Sequence, residues 1–431
     1  MAVGLRALNR VAGLEVLDRI GVRERAERIL YSTTKNGFRA AEAVGRRFNG
    51  SRSLDRPVRQ GAGARATQFD LTPTDEQQMM REAVGDFALE KVRPAALDAD
   101  AACATPAELL DQANELGITM LGVPGELGGA FEERSAITSF LVAEQLARGD
   151  MGIAVAMLAP AAVGNALSLW GDADQQSAYL GEFAGESPPA AAVALLEPRA
   201  LFDPFELRAT ARKSGEDYVL EGVKSLVPRA ADAELFVVAA ELDGRGPALF
   251  LVESADGGIS YEAEPAMGVR AAGTGRLTLN GVKLPADRLL GDGDPASYRD
   301  CVRLARLGWC AVAIGTAQAA ADYVKQYVNE RVAFGEPISH RQAVAFNVAN
   351  IAIELEGMRL TALRAASRSD QGLDNGREVA LARRLATQKG MQIGSDAVQL
   401  LGGHGYTKEH PVERWYRDLR AAGLMEGVLV L

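Results

Sequence analysis

From about residue 187 to 294 the chain reads in short, alternating, β-branched segments, while on both sides it reads in long helical periods. This α, then β, then α order is the strongest restriction on the fold. The strand segments are Tyr218–Leu220, Leu235–Ala240, Ala248–Val252 and Arg276–Leu279, split by turn signals at Gly215–Asp217, Asp243–Gly244 and Asn280–Gly281. They predict a small antiparallel β-domain. Before it, Thr72 or Thr74 with Pro73 opens a helix that Pro94 stops. Helical patterns follow at 106–117, 133–149 and 151–185, with a tight loop at Gly122–Gly129. After the β-domain come helices at roughly 298–329, 340–370 and 376–402.

Charge divides the chain in another way. Residues 1–66 hold 14 Arg/Lys against 6 Asp/Glu, whereas the whole chain carries a net charge of −10. A basic segment is therefore attached to an acidic body, which argues against a nucleic-acid partner over most of the chain. Within the basic segment, Leu5, Leu8, Val11, Leu14, Leu17 and Ile20 form an apolar helical stripe with arginines largely off it. Two readings stay open: docking on the body or a neighbouring subunit, and a membrane-surface helix through residues 1–48. Glu15, Asp18, Glu24 and Glu27 speak against a cleaved transit peptide. Residues 49–67 read as a linker. The expected divisions are thus an arm and linker at 1–66, an α-domain at 67–186, a β-domain at 187–294 and an α-helical region at 295–431.

The inventory of reactive side chains is thin. Cys103, Cys301 and Cys310 form no CxxC pair and read as free thiols of a reducing, cytoplasmic setting. The three histidines, His340, His404 and His410, make no zinc motif, and no metal is expected. Nucleophile elbow and P-loop are missing, and no apolar run reaches the roughly 18 residues of a membrane span. Any chemistry must rest on carboxylates, on arginine or on a cofactor.

Several short motifs then fall in one order. They are Pro124–Gly129; Asp217–Lys224; Arg331–Val–Ala–Phe334–Gly–Glu–Pro–Ile338 with Gln342; Gln399–Leu–Leu–Gly402–Gly403–His–Gly405–Tyr406; Glu409–Arg414; and Tyr416–Arg417–Asp418. Each alone is weak. Together, over residues 69–431, they resemble the acyl-CoA dehydrogenase family. The resemblance implies a mainly α fold with a central small antiparallel β-domain and a C-terminal four-helix bundle. It implies an FAD-dependent oxidoreductase that converts an acyl-CoA thioester to the trans-2-enoyl-CoA in fatty-acid or lipid catabolism, with an electron-transfer flavoprotein as acceptor. The assembly would be a homodimer or homotetramer, or a heteromer with a related subunit.

By position within the family pattern, Glu426, followed by Gly427 and eight residues after Asp418, is the candidate α-proton base. Removing a weakly acidic α-proton needs a carboxylate, and no side chain accepts the β-hydride, so the cofactor must. The plain alternative for Glu426 is a solvated acid. Arg331, Phe334, Gln342, Gln399, Gly402 and Gly403 match FAD contacts made across a subunit boundary, and Arg306 matches an arginine near the substrate. Arg417–Asp418 reads as a structural ion pair, and His404 and His410 as spectators.

The chain departs from the family pattern where the β-domain would cover its own flavin. Hydroxyl and aromatic positions read Leu196, Phe202, Leu226 and Pro228 instead, and Val428 replaces the usual Thr after Glu-Gly. Residues reaching toward a partner's flavin are kept, while those covering the chain's own are changed. This leaves open a divergent working enzyme and a non-catalytic or half-site subunit of a heteromeric complex.

Overall fold

The structure is a computed structural model and describes residues 73–129, 134–185 and 187–431. The amphipathic arm and its linker lie outside the described residues. Helix α1 (Asp75–Phe87) opens on Thr74, whose Oγ1 accepts the Gln77 N–H at 3.2 Å while Gln77 Oε1 accepts the Thr74 N–H at 3.1 Å. This reciprocal pair is a capping box. Pro94 does not stop a helix. It occupies one of the first positions of α2 (Arg93–Ala102), after a π-turn at Ala88–Val92, where a missing N–H costs little.

Helices α3 (Ala107–Glu115), α4 (Ala136–Gly149), α5 (Met151–Trp170) and α6 (Ala173–Phe183) follow. The single pattern expected over 151–185 is two helices. Asp172 and Gln175 form a capping box between them, Asp172 Oδ1 accepting the Gln175 N–H at 2.8 Å, so α6 starts afresh. By length and composition α5 could cross a membrane, yet 89% of its apolar window is buried inside the protein. Its alanines and Leu167 belong to the core.

The β-domain comprises β1 (Ala191–Ala194), β2 (Thr210–Ser214), β3 (Asp217–Val227), β4 (Leu235–Leu242), β5 (Gly246–Glu253), β6 (Ile259–Ala263), β7 (Gly275–Leu284) and β8 (Leu289–Leu290). Their order is β6-β7-β3-β2-β4-β5-β8. Most pairs are antiparallel, but β1 and β2 both run parallel to β4, sharing its second edge. Asn280–Gly281 makes no turn between strands. It lies inside β7, Gly281 taking φ +63° where the pairing with β3 shifts register, so a bulge uses the turn chemistry.

Alternation explains how this sheet is covered. Val193, Val237 and Leu251 face one way and pack with Val163, Phe183 and Val302 of the helices. Phe236, Val238 and Phe250 face the other way and pack with Leu220 and Leu277. Strand β4 is thus apolar on both faces, which is why it reads as a continuous run rather than an alternation.

The C-terminal region has three long helices, α7 (Pro295–Glu330), α8 (Gln342–Asp370) and α9 (Gly376–Leu400), with β9 (Val332–Ala333) and β10 (Glu336–Pro337) as a small ribbon between the first two. Two short helices, α10 (Val412–Asp418) and α11 (Ala421–Leu424), lead into a buried final segment. Residues Phe87–Leu431 form one compact unit.

Candidate functional site

Helix α7 is buried through its middle because Trp309, Ala311, Val312 and Ile314 all find apolar neighbours. Gly308 on this stretch leaves room for the chain after α11: a Cβ there would stand 2.4 Å from the Leu429 carbonyl oxygen. That segment lies against α7 and α5. Trp309 Nε1 donates to the Gly427 carbonyl at 2.9 Å, and Asn165 Nδ2 donates to the Val430 carbonyl at 2.8 Å. The Leu429 N–H donates back to Gly427 at 2.9 Å, closing a γ-turn around Val428 at φ +71°. A β-branched residue is strained there, by about 1–3 kcal/mol. The strain falls two residues from the carboxylate singled out in the sequence.

Glu426 is not a solvated acid; it is 7% exposed. Arg306 Nε donates to both its oxygens, at 3.0 Å to Oε1 and 2.9 Å to Oε2, and Arg306 Nη2 donates to Oε1 at 2.8 Å. Burial works against the Arg306 charge, but the hydrogen bonds and charge of Glu426 more than offset it and raise the Arg306 pKa. The Asp203 charge acts in the same direction. Arg383, on α9, approaches from another helix, and its pKa is lowered mainly by burial. Tyr298 donates to the Pro204 carbonyl, and the Phe205 ring stands edge-on to Tyr298 at 6.1 Å, which fixes the loop after β1 near Arg306.

A second anchor lies beside this cluster. Lys224 is fully buried and its Nζ donates to Glu197 Oε1 at 3.0 Å and to the Leu195 carbonyl at 3.2 Å. Burial pushes Lys224 down to about 8, against the opposing pull of Glu197. Burial would raise Glu197, yet Lys224 and the Ala209 and Arg208 N–H groups hold it below the ordinary carboxylate value. Leu195 in turn touches Gly427, where an added Cβ would lie 2.9 Å from its own. The changed positions lie close by in sequence. Leu226 takes φ +51°, and its N–H and the Ser225 hydroxyl both donate to Glu264 Oε2 at 2.9 Å. Glu264 is a residue that sequence reasoning passed over, since no motif marks it.

Arg417 and Asp418 do not pair with each other. Arg417 forks onto Asp100, at 2.9 and 3.1 Å, and also bonds Glu413, whereas Asp418 Oδ1 accepts the Val269 N–H at 2.7 Å. Adjacent residues on a helix point in different directions, so each finds its own partner. Burial, then the nearby Asp150, pushes Asp418 up to about 8. Asp150 is raised by its own burial despite Arg414 at 3.0 Å. The folded state therefore holds a proton that an unfolded Asp releases near pH 4, so stability falls as pH rises from about 4 to about 8. Asp418→Asn keeps the acceptor for Val269 and removes the part of that loss that Asp418 carries, leaving the part due to Asp150. Denaturant midpoints at pH 5 and pH 8 should differ less in the variant than in the wild type. An equal difference in both would show that Asp418 is not the group responsible.

The remaining sequence candidates gather elsewhere. Arg331, Gln399, Gly402 and Gly403 line one open cleft of ≈ 650 Å³, together with Tyr327 and His404. Arg331 caps the end of α7 and lines this cleft. Gly402, at φ +60°, and Gly403 have nothing within 4 Å of a built Cβ, so their backbone is bare toward open space. A phosphate-bearing group can approach such backbone closely. A guanidinium beside bare glycine backbone is a donor set that fits a dinucleotide. Phe334, 95% exposed, and Gln342, exposed at the start of α8, stand outside the lining of this cleft. His410 is tied to Tyr323 at 2.6 Å, and His404 lines the cleft and stacks edge-on against His410.

Three family models match this chain in order: acyl-CoA dehydrogenase N-terminal domain over residues 74–187, middle domain over 192–282 and C-terminal domain over 297–429. The chain is 31% identical over 363 residues to an acyl-CoA dehydrogenase of Bacillus subtilis (strain 168), covering 82% of this chain and 95% of that one. It is 32% identical over 366 residues to the mitochondrial short-chain specific acyl-CoA dehydrogenase of Bos taurus, covering 82% and 87%. The solved structure of butyryl-CoA dehydrogenase from Megasphaera elsdenii superposes with a TM-score of 0.77 at 29% identity, covering 83% of this chain and 96% of that one. With this likeness spanning all three domains, the chain belongs to the acyl-CoA dehydrogenase family of flavin-dependent oxidoreductases.

Proposed function

We propose that the chain oxidises an acyl-CoA thioester to the trans-2-enoyl-CoA, with Glu426 as the base for the α-proton. The observation that carries this reading is the Glu426 carboxylate, buried, gripped by Arg306 and followed directly by a strained turn around Val428, at the position the family pattern assigns to its base. A base held in one orientation removes a proton faster than a mobile one, because the reacting geometry is already formed. FAD, when bound, would supply the hydride acceptor for the β-hydrogen. Arg331, Gln399, Gly402 and Gly403 would hold its phosphate-bearing part. Arg306 keeps the base oriented, and Tyr298 with Phe205 fixes the loop that encloses it. Butyryl-CoA is the first substrate to test, since relatives named for short-chain substrates are similar over most of their length. An electron-transfer flavoprotein is the proposed acceptor.

The Arg331 cleft and Glu426 form separate groups within one chain, which suits sites completed across a subunit boundary. Helix α8 supports this with Phe346, Ile353 and Leu360, all exposed and spaced by seven residues along one face. A second copy is the favoured occupant. A related subunit is the second reading, favoured by the hydrophobic residues at Leu196 and Leu226. Purified alone, the chain should be an oligomer with stoichiometric yellow flavin that butyryl-CoA bleaches. A colourless chain that becomes yellow only with a partner would establish the half-site reading instead.

A further inference from the structure

Two guanidinium groups, not one, converge on Glu426, and they do so unequally. Arg306 gives Oε1 its Nη2–H at 2.8 Å and shares its single Nε–H between the two oxygens, at 3.0 Å to Oε1 and 2.9 Å to Oε2. Arg383 Nη2 donates to the Met425 carbonyl at 2.6 Å and makes a long contact of 3.5 Å, again to Oε1. Its side chain is 12% exposed, and its Nη1 is buried with no hydrogen-bond partner among the described residues. Arg383 therefore fixes both the peptide that carries the base and the same oxygen that Arg306 holds. A carboxylate has about four lone-pair sites, and this arrangement fills those of Oε1 first.

We propose that Arg383 is a positioning residue for Glu426, pinning Oε1 and the Met425 peptide so that Oε2 is the atom that takes the substrate proton. This rests on the reading of Glu426 as the base. In that step the α C–H bond breaks and its proton bonds to Oε2. Its electron pair becomes the second bond of the α,β-alkene while the β-hydrogen leaves with its own pair, for which FAD, when bound, would be the acceptor. Nothing in the sequence marks Arg383, which lies on a plain helical stretch with no motif. Only the approach of α9 to the chain after α11 gives it this place.

The test compares flavin-loaded wild type, Arg383→Met, Arg383→Lys and Glu426→Gln with butyryl-CoA. Flavin content and thermal midpoint serve as structural controls. Arg383→Met should lower kcat about 10²-fold, the size expected for a misplaced reacting group, with KM nearly unchanged. Added guanidinium ion should restore part of that kcat, which a purely structural role would not allow. Arg383→Lys, which keeps the charge but not the planar, pre-organised guanidinium, should give an intermediate kcat, and it carries the test if the Met variant does not fold. An inactive Glu426→Gln beside a folded Arg383 variant with wild-type kcat overturns this proposal and leaves the base assignment standing. An active Glu426→Gln overturns both.

Discussion

Glu426→Gln is expected to keep its flavin and its fold while losing bleaching by butyryl-CoA, with turnover down about 10²–10⁴-fold, the usual contribution of a positioned general base. The substitution is nearly isosteric. Its amide oxygen can still accept from Arg306, so the final segment need not move. What it cannot do is bind the α-proton. Arg306, half-buried, would then face a neutral group, so some loss of thermal stability accompanies the change. The measurement is stopped-flow absorbance of the flavin band under excess butyryl-CoA, with bound flavin counted before mixing. Bleaching at the wild-type rate would place the base elsewhere.

The second large effect concerns stability. Lys224→Met should cost about 3–5 kcal/mol, the range for breaking a buried ion pair by removing one partner. Lys224 is 0% and Glu197 3% exposed at the side chain, so neither charge has water to fall back on. Losing the ammonium also strips the Leu195 carbonyl of its donor. Leu195 packs on Gly427, so the damage should reach Glu426 and slow the reaction as well. The double variant Glu197→Gln/Lys224→Met should recover much of the stability, since it leaves no uncompensated charge. Chemical denaturation of the three proteins checks this. A loss under about 1 kcal/mol in the single variant, the size of an ordinary substitution, would mean the pair adds little.

Much of the site was legible in sequence, and unevenly so. Arg331, Gln399, Gly402 and Gly403 come from motifs with fixed local spacing, and the fold gathers them in one cleft because α7 ends at Arg331 beside the end of α9. Phe334 and Gln342 belong to the same motif run but stand outside that cleft. Arg306 and Glu426 are 120 residues apart, and only their separate motifs hinted at a meeting. Arg383 and Glu264 left no signal. An arginine on a helix and a glutamate after a strand are commonplace, and their partners, main-chain groups among them, lie far away in sequence. The errors have the same origin. Pro94 starts a helix because a π-turn precedes it, and Arg417 and Asp418 part because α10 aims them at different neighbours.

By itself the sequence determined the α–β–α order, the short β-branched segments of the central domain, and the family. These depend on periodicity and on short-range spacing, which the chain carries wherever it goes. Tertiary structure decided the rest. It buried Glu426 between two arginines from different helices and bent the chain at Val428. It tied Lys224 to Glu197 beneath the same segment. Those are consequences of distant elements packing together, where desolvation turns ordinary charged residues into fixed and energetically costly ones.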